Sequence, residues 1–260
     1  MASITDAVKR PVNTVAGTLN RLPWWVGPVT ITTVLTGFGI YVTLTVLFAR
    51  TAEYGNYLSP FYSPPVNAPD WFPVWLSPAL FVLWMPLGFR ATCYYYRKAY
   101  YRAFFWDPPA CSSKAQQREP RSTENYRGER SLFVWNNIHR YFLYGSFVVL
   151  TFLTIDTVRA FLPDGSFGIS VGSLIFLINV TLLWMYSLSC HSLRHLIGGR
   201  VDCYSCVTGG KARLRAYGWL SVLNRQHALW AWLSLFSVLF TDIYIRLLLA
   251  GVIPTDFRIL

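Results

Sequence analysis

Long apolar segments separated by polar, cation-rich stretches make up most of this chain and predict membrane-spanning helices. A segment of about 20 predominantly apolar residues crosses a hydrocarbon core roughly 30 Å thick. Segments of that kind cover about residues 24–48, 71–92, 141–163, 171–193 and 227–250. Pro73, Pro78 and Pro86 interrupt the second one, and a spanning helix tolerates proline where neighbouring helices or local kinks satisfy the freed carbonyls. We therefore predict an all-α integral membrane protein with five transmembrane helices in a bundle, forming one domain over residues 1–260.

The distribution of lysine and arginine predicts how these helices are oriented. Residues 93–140 and 194–226 carry most of the cations, whereas 49–70 contain only Arg50 and 164–170 contain none. Because loops rich in Lys and Arg stay in the cytoplasm, the N-terminus and both basic loops are predicted to be cytoplasmic and the C-terminus outside. The first 23 residues lack the apolar core and cleavage site of a signal peptide, so we expect the first span to be retained in the cell inner (plasma) membrane.

Composition agrees with a membrane protein and argues against a nucleic-acid-binding one. Hydrophobic residues make up 53% of the chain and charged residues only 13%, which is too apolar for a soluble domain. The net charge of +11 is explained by the cytoplasmic loops, and no nucleic-acid-binding motif accompanies it. The basic surface could also dock an acidic partner or anionic lipid head groups.

The segment CHSLRHLIGGRVDCYSC, residues 190–206, carries the strongest candidate chemistry. His191 and His195 are four residues apart and share one face of a helix, and Cys203 and Cys206 form a CxxC pair just downstream. Two imidazoles and two thiolates suit either a structural zinc ion or a Rieske-type 2Fe–2S cluster. A disulfide is disfavoured, because the predicted cytoplasmic location is reducing.

A b-type haem and an uncommitted pair of thiols are two further alternatives. A bis-histidine haem needs one imidazole from each of two facing helices, and His139 with His195, or His227 with His191, could supply them. All four histidines lie at span ends that are predicted to be cytoplasmic. Because such groups are expensive in a membrane protein, their clustering at one depth indicates a function.

The remaining cysteines and the charged residues within the spans are predicted to be structural or are left unassigned. Cys93 and Cys111 are too isolated in sequence to assign, and Cys190, which points about 100° away from its neighbour on a continuous helix, is assigned to packing. Two acid–base pairs, Asp156 with Arg159 and Asp242 with Arg246, are expected to neutralise each other across one helical turn.

Two segments give the chain a family resemblance. FRATCYYYRKAYYRAFFWDPPAC, residues 89–111, and HSLRHLIGGRVDCYSC, residues 191–206, resemble the single-chain membrane anchor of actinobacterial succinate dehydrogenase (complex II). The resemblance extends over essentially the whole chain. It implies a cytoplasmic flavoprotein subunit that oxidises succinate, an iron–sulfur subunit that passes electrons on, and an anchor that delivers them to a membrane quinone in the respiratory chain. It implies no succinate site on this chain, and it leaves a higher oligomer of the complex open.

The resemblance also implies an embedded Rieske-type centre, which favours iron–sulfur over zinc. We therefore expect His191, His195, Cys203 and Cys206 to hold a 2Fe–2S cluster, with His139 or His227 as a replacement for one of the two histidines.

The expected quinone site uses a partly overlapping set: His139, Arg140, His227 and Trp230. Imidazole and guanidinium groups can hydrogen-bond a quinone carbonyl, and an indole can pack against the ring. The alternatives are the same anchor carrying haem b, and a zinc-stabilised scaffold or transporter without redox activity.

Overall fold

The computed structural model of this chain is mostly helical. It describes residues 23, 25–48, 52–66, 71–73, 77–104, 135–198 and 203–259. The helices in these ranges are α1 (Val26–Phe48), α2 (Leu80–Thr92), α3 (Tyr94–Phe104), α4 (Trp135–Ala160), α5 (Val171–Leu188), α6 (His191–Gly198), α7 (Gly210–Arg225) and α8 (His227–Leu249). A hairpin pairs β1 (Glu53–Tyr54) with β2 (Tyr57–Leu58), and 3-10 turns cover Pro163–Gly165 and Tyr204–Cys206. Cys111 and the predicted cytoplasmic N-terminal segment lie outside the described residues.

Within the described ranges, four helices are long and apolar enough to cross a membrane. They are Val26–Phe48, Ile138–Ala160, Val171–Leu188 and His227–Leu249. These helices match the first, third, fourth and fifth predicted spans.

The second predicted span, 71–92, does not form a helix of spanning length in the described residues. The apolar helix there is α2, which has 13 residues and at 1.5 Å per residue covers only about 20 Å. Residues 71–72 and 78–79 lie in turns or bends, and the helix starts only after Pro78, while Pro86 is accommodated inside it. The prediction of five spanning helices is therefore not confirmed.

The fourth predicted span, 171–193, ends earlier than the hydropathy pattern indicated. Helix α5 begins with a capping box, in which Ser170 and Ser173 each bond the other's backbone N–H, and ends at Leu188. Ser189 and Cys190 then break the helix, and α6 starts at His191. The two predicted histidine ligands thus belong to a separate short helix.

By contacts between backbones, the chain divides into two units: residues 1–39 with 98–121, and residues 40–97 with 122–260. Within the second unit, α2 packs against α4, α4 against α5, and α5 against α8. Val82, Val149, Leu150, Leu153 and Val180 form a buried apolar cluster among the first three of these helices. Every residue of the candidate site described below lies in this second unit.

The predicted acid–base pairs form within the second unit. Arg246 Nε lies 2.7 Å from Asp242, and Arg159 Nη1 lies 3.5 Å from Asp156. Both carboxylates are buried, and each also accepts hydroxyl hydrogen bonds: Asp242 from Tyr41 and Ser59, and Asp156 from Ser63.

Candidate metal centre

The four predicted metal ligands form two separate pairs. His191 and His195 face each other on α6, with their Nε2 atoms 3.1 Å apart. Cys203 and Cys206 are joined by a disulfide, contrary to the expectation of reduced thiols, because the short 3-10 turn brings their Cα atoms to 5.3 Å. A bonded pair offers no thiolate to a metal until it is reduced. Among the described residues, no three His, Cys, Asp or Glu side chains form a group that could hold a metal ion.

A second set of soft donors is buried inside the second unit. Cys93 and Cys190 are outside any disulfide, and each is only 2% exposed. Each lies where one helix stops and another starts: Cys93 separates α2 from α3, and Cys190 separates α5 from α6. The chain therefore places a thiol at two similar helix breaks.

Each buried cysteine contacts a histidine from a different helix. His139, near the start of α4, brings its Nε2 to 3.1 Å from Cys190 Sγ. His227, the first residue of α8, brings its Nε2 to 3.3 Å from Cys93 Sγ. The two imidazoles are close enough to interact electrostatically with each other, and so are the two thiols. Cys93, Cys190 and His139 are buried, and His227 is half-buried. We call these four residues the buried quartet.

Hydrogen bonds fix which nitrogen of each histidine carries the proton. Thr92 Oγ1 lies 2.9 Å from His139 Nδ1, and Ser189 Oγ lies 2.7 Å from His227 Nδ1. Each hydroxyl already donates its single proton to a backbone carbonyl of the preceding helical turn, at 2.6 Å and 2.8 Å. At the imidazole each hydroxyl must therefore accept, so Nδ1 carries the proton. Both Nε2 atoms then present a lone pair towards a cysteine, as a metal ligand requires.

Aromatic rings pack against both histidines of the buried quartet. Phe89 stacks on His139 with ring centroids 4.7 Å apart, and Tyr186 stacks on His227 at 5.2 Å. Phe89 and Tyr186 meet edge to face at 5.3 Å. The hydroxyl of Tyr186 is buried and has no hydrogen-bond partner in the described part of the chain, although it lies within electrostatic range of both thiols. The rings around the quartet are thus mainly apolar, and the Tyr186 hydroxyl is a donor without an acceptor among the described residues.

The residues predicted to bind quinone divide into two groups. His139 and His227 belong to the buried quartet, as the contacts above establish. Arg140 Nε and Trp230 Nε1 are buried and have no hydrogen-bond partner among the described residues. Arg140 follows His139 directly, and Trp230 lies almost one turn after His227. Buried donors of this kind need an acceptor, which a bound molecule can supply.

Sequence reasoning missed both cysteines of the buried quartet. Cys190 was assigned to packing because a continuous helix would turn it away from His191, but the helix ends two residues earlier. Cys93 was left unassigned because no other ligand is near it in sequence. A signal was available in their positions along the predicted spans. Both cysteines lie at span ends that are predicted to be cytoplasmic, as His139 and His227 do.

Apolar helices of spanning length are typical of a helical membrane protein. In this one, the buried quartet forms a candidate site between the helices. Residues 26–251 match the model of the family described as actinobacterial succinate dehydrogenase subunit SdhC, and the chain belongs to that family. It is thus a membrane subunit of a succinate dehydrogenase complex, as the resemblance implied.

A solved structure also relates the chain to a succinate dehydrogenase complex. The chain is similar to one in the Mycobacterium smegmatis Sdh1 complex in the apo form, with 36% sequence identity and a TM-score of 0.71. The similarity covers 92% of this chain and 93% of the other. None of the curated proteins compared with the chain matches it.

Proposed function

We propose that this subunit carries electrons from an iron–sulfur partner subunit to a membrane quinone, and that the buried quartet holds a Rieske-type 2Fe–2S cluster for this purpose. Bound there, the cluster would accept and release one electron at a potential that imidazole ligation raises above that of an all-thiolate cluster. The flavoprotein subunit of the complex would oxidise succinate, and the basic loops would face it and the iron–sulfur subunit from the cytoplasm, with the C-terminus outside.

The observation that carries this proposal is the pairing of buried thiols with imidazoles in the ligand tautomer. Two Cys and two His are the donors that a Rieske-type cluster needs. Thr92 and Ser189 hold both imidazoles with Nε2 unprotonated and directed at sulfur. Side chains of this polarity are expensive to bury unless something satisfies them. A cofactor bound in place of the sulfur–nitrogen contacts would satisfy all four side chains.

The geometry favours a two-iron cluster over the other cofactors considered. A zinc site gathers its ligands tetrahedrally around one ion, and the described residues contain no group of three or more that could do this. A Rieske-type cluster takes two thiolates on one iron and two imidazoles on the other. The quartet supplies two of each, with the two imidazoles close to each other and the two thiols close to each other. A haem would need His139 or His227 opposite a second histidine, whereas each faces a cysteine.

Quinone reduction needs hydrogen-bond donors close to the electron source. Arg140 and Trp230 follow the two histidines of the quartet on the same helices, and each has a buried N–H without a protein acceptor in the described ranges. A quinone carbonyl accepts hydrogen bonds, so these two residues are the proposed donors to it, with His139 and His227 beside them. The proposed site lies at the cytoplasmic ends of the spans.

Cysteine variants of the intact complex test the cluster assignment against the set expected from sequence. In the double variant Cys93→Ser and Cys190→Ser, we expect the Rieske-type electron paramagnetic resonance signal and about two irons per complex to be lost. Quinone reduction should fall with them, while succinate oxidation by a soluble artificial acceptor continues. The matched control is Cys203→Ser with Cys206→Ser, which removes two cysteines from the same subunit and should keep the signal.

Histidine variants complete the test. His139→Ala with His227→Ala should behave like the buried-cysteine variant, whereas His191→Ala with His195→Ala should keep the cluster. The opposite outcome would return the ligands to the CxxC segment and refute the quartet. Sharp reduced haem bands in the optical spectrum, or zinc without iron in the purified complex, would refute the cluster itself.

A further inference from the structure

Arg90 is a cation within an apolar helix, and the described part of the chain offers it no acidic partner. It lies in the last turn of α2. Its Nη1 donates to Tyr96 Oη at 2.8 Å and to the Ala231 carbonyl at 3.2 Å, and its Nη2 donates to Ser234 Oγ at 3.0 Å. All three acceptors are neutral. The guanidinium also faces the rings of Tyr96 and Tyr186, which are neutral as well. Burying part of a cation among neutral groups costs free energy, so this arginine is a candidate for a functional role.

The charge of Arg90 lies close to the buried quartet. Its guanidinium carbon is 4.7 Å from the centroid of the Tyr186 ring, and the same ring stacks on His227 at 5.2 Å. Arg90 is close enough to His227 to interact with it electrostatically. Tyr186 is almost completely buried, so little water screens this interaction.

A Rieske-type site changes its charge when it accepts an electron. With two thiolates and two neutral imidazoles, the oxidised cluster is formally neutral, and the reduced cluster carries a single negative charge. A low-dielectric environment penalises that new charge unless a nearby cation offsets it. We propose that Arg90 is the countercharge that stabilises the reduced state of the buried quartet's cluster. This inference rests on the proposed function and assigns Arg90 a positioning role, without contact with the quinone.

Two substitutions at Arg90 separate its charge from its hydrogen bonds. Arg90→Gln keeps an amide donor for Ser234 but removes the charge, whereas Arg90→Lys keeps the charge. In a redox titration of the intact complex followed by electron paramagnetic resonance, Arg90→Gln should lower the equilibrium constant for cluster reduction at least about tenfold, a downward shift of about 59 mV. Arg90→Lys should restore most of the potential. The control is Arg159→Gln, which removes a mostly exposed cation at the end of α4 opposite to His139. This variant should leave the potential unchanged.

Each result bears on one proposal. No Rieske-type signal in the unchanged complex would refute the proposed function. A normal signal with an unchanged potential in Arg90→Gln, or an altered KM for quinone alone, would overturn only the countercharge. If Arg90→Gln does not assemble, Ser234→Asp places a carboxylate beside Nη2 and neutralises the charge with the arginine retained. A lower potential in that variant supports the inference, and an unchanged one overturns it.

Discussion

At the scale of single residues, two hydroxyl groups decide what two histidines can bind. Thr92 and Ser189 each use their own proton on a backbone carbonyl, which leaves only an acceptor for the imidazole. Ligand histidines in metalloproteins generally have their second nitrogen held in this way, and the partner fixes both the tautomer and the ring orientation. Without it, the proton can move to Nε2, where it would compete with a metal.

Replacing Thr92 by valine should weaken the site without changing its volume. Thr92→Val keeps the branched shape but removes the acceptor, and the loss of such a partner typically costs about 10–100-fold in metal affinity or activity. Iron content and signal intensity of the purified complex, measured against increasing chelator, check this. Thr151→Val is the matched control, because its hydroxyl also bonds the carbonyl four residues earlier but lies on an exposed surface. Equal losses in both variants would contradict the prediction.

The sequence predicted part of the site at this scale. Hydropathy placed His139 and His227 near the starts of two spans, and both lie near the starts of long apolar helices, α4 and α8. Cys190 was missed because its direction depends on a helix break that hydropathy does not reveal. Arg90 was not singled out, although it is a cation inside the predicted span 71–92. Its neutral acceptors on α8 lie more than 140 residues later in the chain, so its surroundings were not predictable.

At the scale of helices, hydropathy predicts the long spans well and their ends less well. In the described ranges, four apolar helices of at least 18 residues follow from the pattern, because length and composition alone define them. The ends depend on local interactions. Helix α5 ends at Leu188, and the hydroxyl of the next residue, Ser189, bonds back to the helix and also contacts His227. Helix α2 is short because residues 71–72 and 78–79 lie in turns or bends, which hydropathy averages over.

The start of α7 provides a stability prediction with a control in the same helix. A Cβ at Gly210 would lie 1.6 Å from the Tyr204 carbonyl oxygen, whereas a Cβ at Gly218 meets nothing within 4 Å. Gly210→Ala should therefore destabilise the protein by about 1–3 kcal/mol, as overpacking does. Gly218→Ala should stabilise it by about 0.5–1 kcal/mol, because alanine loses less entropy in a helix. Chemical denaturation in detergent measures both, and equal effects would show that the close approach is absent.

At the scale of the whole molecule, Asp256 connects distant parts of the second unit. It accepts hydrogen bonds from Tyr57 on β2 at 2.5 Å, from Tyr244 on α8 at 2.6 Å, and from the Gly172 N–H on α5 at 3.1 Å. Tyr57 belongs to the hairpin that β1 and β2 form. The partner near the C-terminus was not predictable, since 199 residues separate it from Tyr57.

These bonds make part of the stability depend on pH. Burial alone would raise the pKa of Asp256, but hydrogen bonds from Tyr244, Tyr57, Ser170 and Gly172 outweigh it and hold the pKa below its usual value. A lowered pKa contributes stability above the unfolded value of about 3.9, and that contribution is lost as the pH falls through the folded pKa. The thermal midpoint of the solubilised protein should therefore fall less steeply below about pH 4 in Asp256→Asn than in the unchanged protein.

An exposed acid provides the control for this measurement. Glu53→Gln alters an exposed carboxylate on the hairpin and should leave the acid dependence unchanged. An acid profile for Asp256→Asn that matches that of the unchanged protein would contradict the assigned role.

The burial of the quartet also constrains how the subunit is made. Cys93 and Cys190 are each only 2% exposed, so the packed subunit leaves dissolved iron and sulfide little direct access to them. On the proposed assignment, we expect biogenesis to deliver the inorganic core while the helices are still apart, during or just after their insertion into the bilayer. Cofactor delivery and helix association then become a single maturation step.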